Sequence, residues 1–265
     1  MSKPEALFGK FRAGNAEFVG RVVGDEVIEL SSKKIIDVIE GGASEVGRTH
    51  AAGDLRTLPP VDMPSKIICV GLNYRSHIRE MKWETPTTPI IFMKPSSAIV
   101  GQGDGIVLPS VSSRVDYEGE SAVIIGKKTR NAVDGVKAIF GYTCFNDVTA
   151  RDLQKHDPDW TRSKGFDTFA PIGPYLSREA PSRVTTRLNG NVVQKADMSD
   201  RVFDDAALVE YVSGIMTLEP GDVIATGTPS GISPIRAGDI VEVEVDGIGT
   251  LRNPVTSDEE HRGGR

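Results

Sequence analysis

The chain has 265 residues, enough for one large domain or a main domain with a small appendage. Hydrophobic residues make up 38% and charged residues 26%, which excludes a disordered chain and leaves a globular one. The net charge is −6, from 31 basic and 37 acidic residues; with no basic run, nucleic acid is excluded as the main partner, and an anionic substrate would need local cations.

Met1 to Glu5 leads into no long apolar segment, so no signal peptide is read. No run approaches the roughly 20 apolar residues that a membrane helix needs. A soluble, cytoplasmic protein is expected. Cys69 and Cys144 each sit in an apolar, strand-like run and are expected as buried thiols rather than a disulfide.

Phe8 to Arg12, Glu17 to Val23 and Glu26 to Leu30 read as short strands, with a tight turn at Gly24-Asp25. Residues 41 to 64 have weak periodicity and read as a helix or loop. Lys66 to Leu72 is a compact apolar run and reads as a buried strand. Asn73 is placed to cap a short helix, on which His77 and Glu80 are neighbours at i and i+3. A carboxylate beside an imidazole suits a general base, although an ordinary surface ion pair has the same spacing. Trp83 to Pro89 is a proline-rich loop that could cover a site. Pro89 to Pro95 reads as a second buried strand, and Ile99-Val100 with Ile106 to Leu108 as a hairpin.

Next comes the stretch Asp116-Tyr117-Glu118-Gly119-Glu120-Ser121, running into the β-branched Val123-Ile124-Ile125. Strand alternation puts Glu118 and Glu120 on one face. Two carboxylates there repel unless a cation sits between them, and oxygen ligands suit a hard ion such as Mg²⁺ or Mn²⁺. A solvated polar strand face is the competing reading. Residues 133 to 139 read as a short helix and Phe140 to Phe145 as an apolar strand. Asp147 then serves either as a third carboxylate or as the N-cap of a helix from Val148 to Lys155. Lys164, beside Gly165, is either an oxyanion-stabilising cation or a solvated lysine.

Asn189-Gly190 marks a hairpin between Val184 to Leu188 and Val192 to Gln194. Asp204 to Met216 is the clearest helix, with an apolar face of Ala207, Leu208, Tyr211, Val212, Ile215 and Met216. After the strand Val223 to Thr226, the loop Thr226 to Gly231 offers backbone N–H groups that suit a carboxylate. Ile240 to Val245 and Ile248 to Leu251 form a last hairpin, and the tail from Ser257 reads as loose.

Six stretches together resemble the fumarylacetoacetate hydrolase superfamily, in its small bacterial-type branch of acylpyruvate hydrolases, hydroxyheptadienedioate isomerases and oxaloacetate decarboxylases. They are GLNYRSHIREM (71 to 81), PIIFMKP (89 to 95), DYEGESAVIIGK (116 to 127), GYTCFNDVTARDLQ (141 to 154), RSKGFDTFAPIGP (162 to 174) and GDVIATGTPSGI (221 to 232). The resemblance implies an α+β, mainly β fold, a mixed β-sandwich roll with short flanking helices. It implies a small N-terminal domain over 1–62, a catalytic domain over 63–256 and a tail over 257–265. It makes Glu118, Glu120 and Asp147 the ligands of one Mg²⁺ or Mn²⁺ per subunit. Lys164 becomes the lysine beside the substrate, and His77 with Glu80 the water-activating dyad. Arg151, Gln154, Thr228 and Tyr74 become substrate contacts. A keto acid or dicarboxylate substrate and a homodimer are implied as well. Ser121 departs from the family's usual leucine, on the face away from the glutamates, so it bears on packing.

Overall fold

The run Gly119–Ile125 is buried at every position, which explains its composition. It lies inside a twelve-stranded sheet, antiparallel to Ile139–Asn146 on one side and to Val223–Ala225 on the other. In this computed structural model, which describes residues 7–258, both faces of the strand are covered. Alternation sends Val123 and Ile125 to one core and Ala122 and Ile124 to the other.

The first core lies between two sheets. Val123, Ile125 and Cys144 of the large sheet meet Val243, Val245 and Leu251 of a five-stranded sheet, and Leu208, Val209 and Val212 of the helix Asp205–Ile215 close it. The second packs Ile67, Cys69, Ile124 and Ile172 against Ile35 and Ile39 of a short helix, Ile35–Ile39. Each fully buried Val, Leu or Ile stabilises the fold by about 1.5–3 kcal/mol. The architecture is α+β and mainly β.

The N-terminal strands Leu7–Ala13, Ala16–Val23 and Glu26–Leu30 form consecutive antiparallel pairs. They join the large sheet where Phe8 pairs with Leu176. The hairpin at Asn189-Gly190 forms as expected: both residues have positive φ, 52° and 79°, the geometry that favours Asn-Gly in a two-residue turn. Cys69 and Cys144 are buried free thiols. Among the described residues, no helix is long and apolar enough to cross a membrane.

Several expectations are corrected. Residues 41 to 64 are not a helix or loop throughout: they hold the strands Glu45–Ala51 and Arg56–Leu58, joined by one 3-10 turn, Ala52–Asp54. Glu45–Ala51 is an edge strand, almost wholly exposed, so its side chains carry no alternation to read. Ile99–Val100 and Ile106–Leu108 do not pair with each other. The first runs parallel to Ala170–Ser177 and the second parallel to Gly249–Ser257. Ser257 therefore ends a strand, and the remainder of the expected tail, 259–265, lies outside the described residues. Asn73 does not cap the helix Arg75–Met81; its amide donates to the carbonyls of Phe203 and Thr226 and tethers two segments. Asp204 does cap the helix Asp205–Ile215, accepting from the N–H of Ala207, but Ile215 is half exposed and Val209 takes its place in the core.

Candidate active site

Glu118 enters the strand Gly119–Ile125, and Asp147 leaves the strand Ile139–Asn146. The two strands are antiparallel, so the start of one meets the end of the other, with Gly119 opposite Asn146 and Glu120 opposite Phe145. The Asp147 N–H donates to the Glu118 carbonyl at 2.8 Å, and the Glu118 N–H donates to the Asn146 side chain at 3.0 Å. Between the glutamates only glycine fits. A Cβ on Gly119 would stand 1.9 Å from the Thr186 hydroxyl oxygen. Glu118, Glu120 and Asp147 are all buried, and one carboxylate oxygen from each lies within 4.8 Å of the others. A solvated polar face is therefore ruled out. Asp147 is no N-cap either, because the following helix, Arg151–His156, starts four residues later and is preceded by Ala150.

Three buried cations surround the cluster. Lys164 Nζ bridges Glu118 Oε2 at 2.9 Å and Asp147 Oδ2 at 2.6 Å. It is not a solvated lysine: burial alone would lower its pKa, but Asp147 and Glu118 outweigh that and hold it charged. Lys94 Nζ takes the other oxygen of Asp147, Oδ1, at 2.6 Å and the Val148 carbonyl at 3.0 Å. Arg151 donates through Nε to Asp116 at 2.9 Å, through Nη2 to Glu118 and through Nη1 to Gln154 at 2.6 Å. Burial would raise the Glu118 carboxyl, but Lys164 and Arg151 hold it well below the usual range.

Glu120 is different. It accepts one hydrogen bond, from the Gly227 N–H at 2.8 Å, and among the described residues no cationic side chain is paired with it. Burial, Asp147 and Glu118 push its carboxyl well above the usual range. Asp116 is matched by Arg151 and by the half-exposed Arg114, which leaves Glu120 as the carboxylate of the cluster without a cationic partner among the described residues. A donor set of three converging carboxylate oxygens, one of them on a glutamate with no cation beside it among the described residues, fits a hard divalent cation such as Mg²⁺ or Mn²⁺.

The cluster lies at a cavity of about 450 Å³ whose apolar lining includes Val70, Leu72, Met81, Trp83, Phe92 and Trp160. His77 faces this cavity from the helix Arg75–Met81, its Nδ1 3.0 Å from Glu80. Arg151, Gln154, Lys164 and Thr228 also line it. Thr228 is engaged with the protein: its hydroxyl donates to the Gly119 carbonyl at 3.0 Å and accepts from Gln194 at 2.8 Å. Tyr74 is placed elsewhere. It is fully buried, its hydroxyl donates to Met198 Sδ at 3.2 Å, and it is absent from the cavity lining. The resemblance implied a substrate contact, but its ring belongs to the first core. The loop Thr226 to Gly231 does hold carboxylates, and they are the protein's own: Gly227 N–H binds Glu120 and Gly231 N–H binds Glu80.

Sequence reasoning missed Lys94 and Asp116. Lys94 had a readable signal, a lone cation ending an otherwise apolar strand that must find an anion if buried. Asp116 had none, because its partner Arg151 comes from a distant segment.

A family model described as the fumarylacetoacetate (FAA) hydrolase C-terminal domain matches residues 66–256. The chain belongs to the fumarylacetoacetate hydrolase family. Oxaloacetate tautomerase Fahd2a of Rattus norvegicus is 37% identical over 265 residues, covering 88% of this chain and 85% of that protein. The structure of 5-carboxymethyl-2-hydroxymuconate delta-isomerase from Mycobacterium smegmatis superimposes with a TM-score of 0.86 at 39% identity, covering 95% of this chain and 100% of the other. Maleylpyruvate hydrolase from Sphingobium sp. SYK-6, in complex with manganese(II) ion and pyruvate, gives a TM-score of 0.78 at 30% identity, covering 95% and 99%. Members of this family named as hydrolases, isomerases and tautomerases act on small organic acids.

Proposed function

We propose that this protein is a divalent-metal-dependent hydrolase that cleaves a carbon–carbon bond in a 2,4-diketo acid of the acylpyruvate type. The observation that carries the reading is the His77–Glu80 pair, which opens on the same cavity as Glu118, Glu120, Asp147 and Lys164. The three carboxylates would hold one Mg²⁺ or Mn²⁺, which when bound supplies Lewis-acid stabilisation of negative charge on the keto acid.

The chain's own groups supply the rest. Glu80 accepts from His77 Nδ1 and so fixes the ring, which leaves Nε2 to take a proton from water that attacks the distal carbonyl. The bond to the pyruvate portion then breaks. Negative charge develops on the leaving pyruvate oxygen, where the Lys164 ammonium stabilises it. The apolar lining, with Trp83, Phe92 and Trp160, restricts water to the one that reacts.

A second reading is favoured by the relatives named as an isomerase and an oxaloacetate tautomerase. In it His77 only moves a proton between carbon and oxygen, and no water is added. A panel of acetylpyruvate, fumarylpyruvate, oxaloacetate and a hydroxydienedioate, assayed with Mn²⁺, separates the readings. Faster release of pyruvate from the acylpyruvates supports hydrolysis. Proton exchange or tautomerisation without cleavage supports the second reading. The resemblance also carries a homodimer, which sedimentation of the purified protein tests.

A further inference from the structure

On one side, the strand Gly119–Ile125 has a neighbour for only part of its length. Val223–Ala225 pairs with it at Ala122, Val123 and Ile124. Thr226 extends the contact by one step, its N–H and its hydroxyl both donating to the Ser121 carbonyl, at 3.0 and 2.9 Å. The chain then turns away into the loop Thr226 to Gly231, and Gly119 is left without a strand on that side. Buried backbone groups that lose a sheet partner must find another.

Two side chains take them. The Gly119 N–H donates to Gln194 Oε1 at 3.0 Å, and the Gly119 carbonyl accepts from the Thr228 hydroxyl at 3.0 Å. Gln194 closes the ring. Its Nε2 donates to the Thr228 oxygen at 2.8 Å and to the Pro229 carbonyl at 2.9 Å. Gln194 is buried and comes from Asn191–Asp197, a strand of the five-stranded sheet.

Every role in this ring is fixed. The Gly119 N–H can only donate and the Pro229 carbonyl can only accept, so the Gln194 amide has one orientation. Its nitrogen therefore faces Thr228, whose single proton goes to Gly119. Thr228 lines the cavity with that proton already committed.

Gly119 separates the two glutamates, and a glycine backbone is freer to rotate than any other. Thr186 excludes a side chain that could restrain it by packing. Hydrogen bonds to its N–H and carbonyl are what hold it, and rotation there would swing Glu118 away from Glu120.

We propose, resting on the metal site described above, that Gln194 is a positioning residue for that site. Through Gly119 it sets the spacing of Glu118 and Glu120, and Thr228 is the strut that completes the ring rather than a donor to substrate.

The test is Mn²⁺ titration of the purified protein, read from the paramagnetic resonance of the free ion, beside melting temperatures of the metal-free protein. Gln194→Met keeps the bulk and breaks the ring, so affinity should fall about tenfold or more. Thr228→Val matches threonine in shape without the hydroxyl and should lose a similar factor. Thr228→Ser keeps the hydroxyl and should stay within about twofold of the wild type. Combining Gln194→Met with Thr228→Val should cost little more than either alone, because both break one ring, whereas independent effects would multiply. Unchanged Mn²⁺ affinity with a lowered melting temperature, or losses that multiply, overturns the positioning role and leaves the metal site in place. Should Gln194→Met not fold, the contrast between Thr228→Val and Thr228→Ser decides by itself. A wild-type protein that takes up no Mn²⁺ overturns the metal site, and the positioning role with it.

Discussion

Lys94 and Asp147 meet at 2.6 Å in the interior, and that contact leaves Asp147 a single oxygen, Oδ2, for the shared site. Lys94 is fully buried and does not line the cavity, and its hydrogen bond to the site is the one to Asp147. Replacing Lys94 with Met would leave one side of a buried carboxylate uncompensated. Chemical denaturation should show a loss of about 3–5 kcal/mol. Titration with Mn²⁺ should show affinity falling roughly 10–100-fold, as expected when a group that orients a ligand is removed.

Glu120→Gln should leave the fold intact and abolish metal-dependent turnover. The side chain already sits in surroundings that disfavour its charge, and Gln keeps an oxygen to accept from Gly227. Melting temperature without metal should therefore change little. Stabilisation by Mn²⁺ with oxalate, present in the wild type, should disappear from the variant. Full activity in Glu120→Gln would discard the ligand assignment.

Both glutamates were legible in the sequence because strand alternation is strict: residues 118 and 120 must share a face whatever the rest of the fold does. Gly119 could be read as a spacer, but the reason for it could not. That reason is Thr186, on a strand of the other sheet. The misplaced hairpin at 99 to 108 fails for a similar cause. Two short apolar runs around a glycine turn satisfy the local rule, while each here takes a parallel partner more than sixty residues away in the sequence. Glu45–Ala51 was unreadable because its backbone pairs while its side chains face water. Local chemistry thus located the cluster, and long-range pairing decided what surrounds it.

His77→Ala tests the choice between hydrolysis and isomerisation. A positioned general base contributes roughly 10²–10⁴-fold, so pyruvate release should fall by that range. Isomerase activity, which needs no water delivered, should fall less. Retention of full hydrolysis would remove His77 from the water-activating role.

Asp152 gives the pH dependence a definite sign. Burial alone would raise its carboxyl, but hydrogen bonds from Ser112 and Ser113 outweigh that and hold it well below the ordinary range. A depressed carboxyl stabilises the fold above its unfolded pKa of about 3.9, and that contribution is lost as pH falls through the folded value. Asp152→Asn should therefore lower the melting temperature at pH 7. The difference between variant and wild type should narrow as pH falls below about 4, where the carboxyl of the unfolded chain takes up a proton before that of the folded chain does. A difference independent of pH would rule the carboxylate out as the cause.

The central claim is that Glu118, Glu120 and Asp147 share one divalent cation. Anomalous diffraction from crystals grown with Mn²⁺ tests it most directly. One manganese peak within bonding distance of an oxygen from each of the three residues is the predicted result. A map with no peak between them at saturating Mn²⁺, or with the ion bound elsewhere, would contradict it.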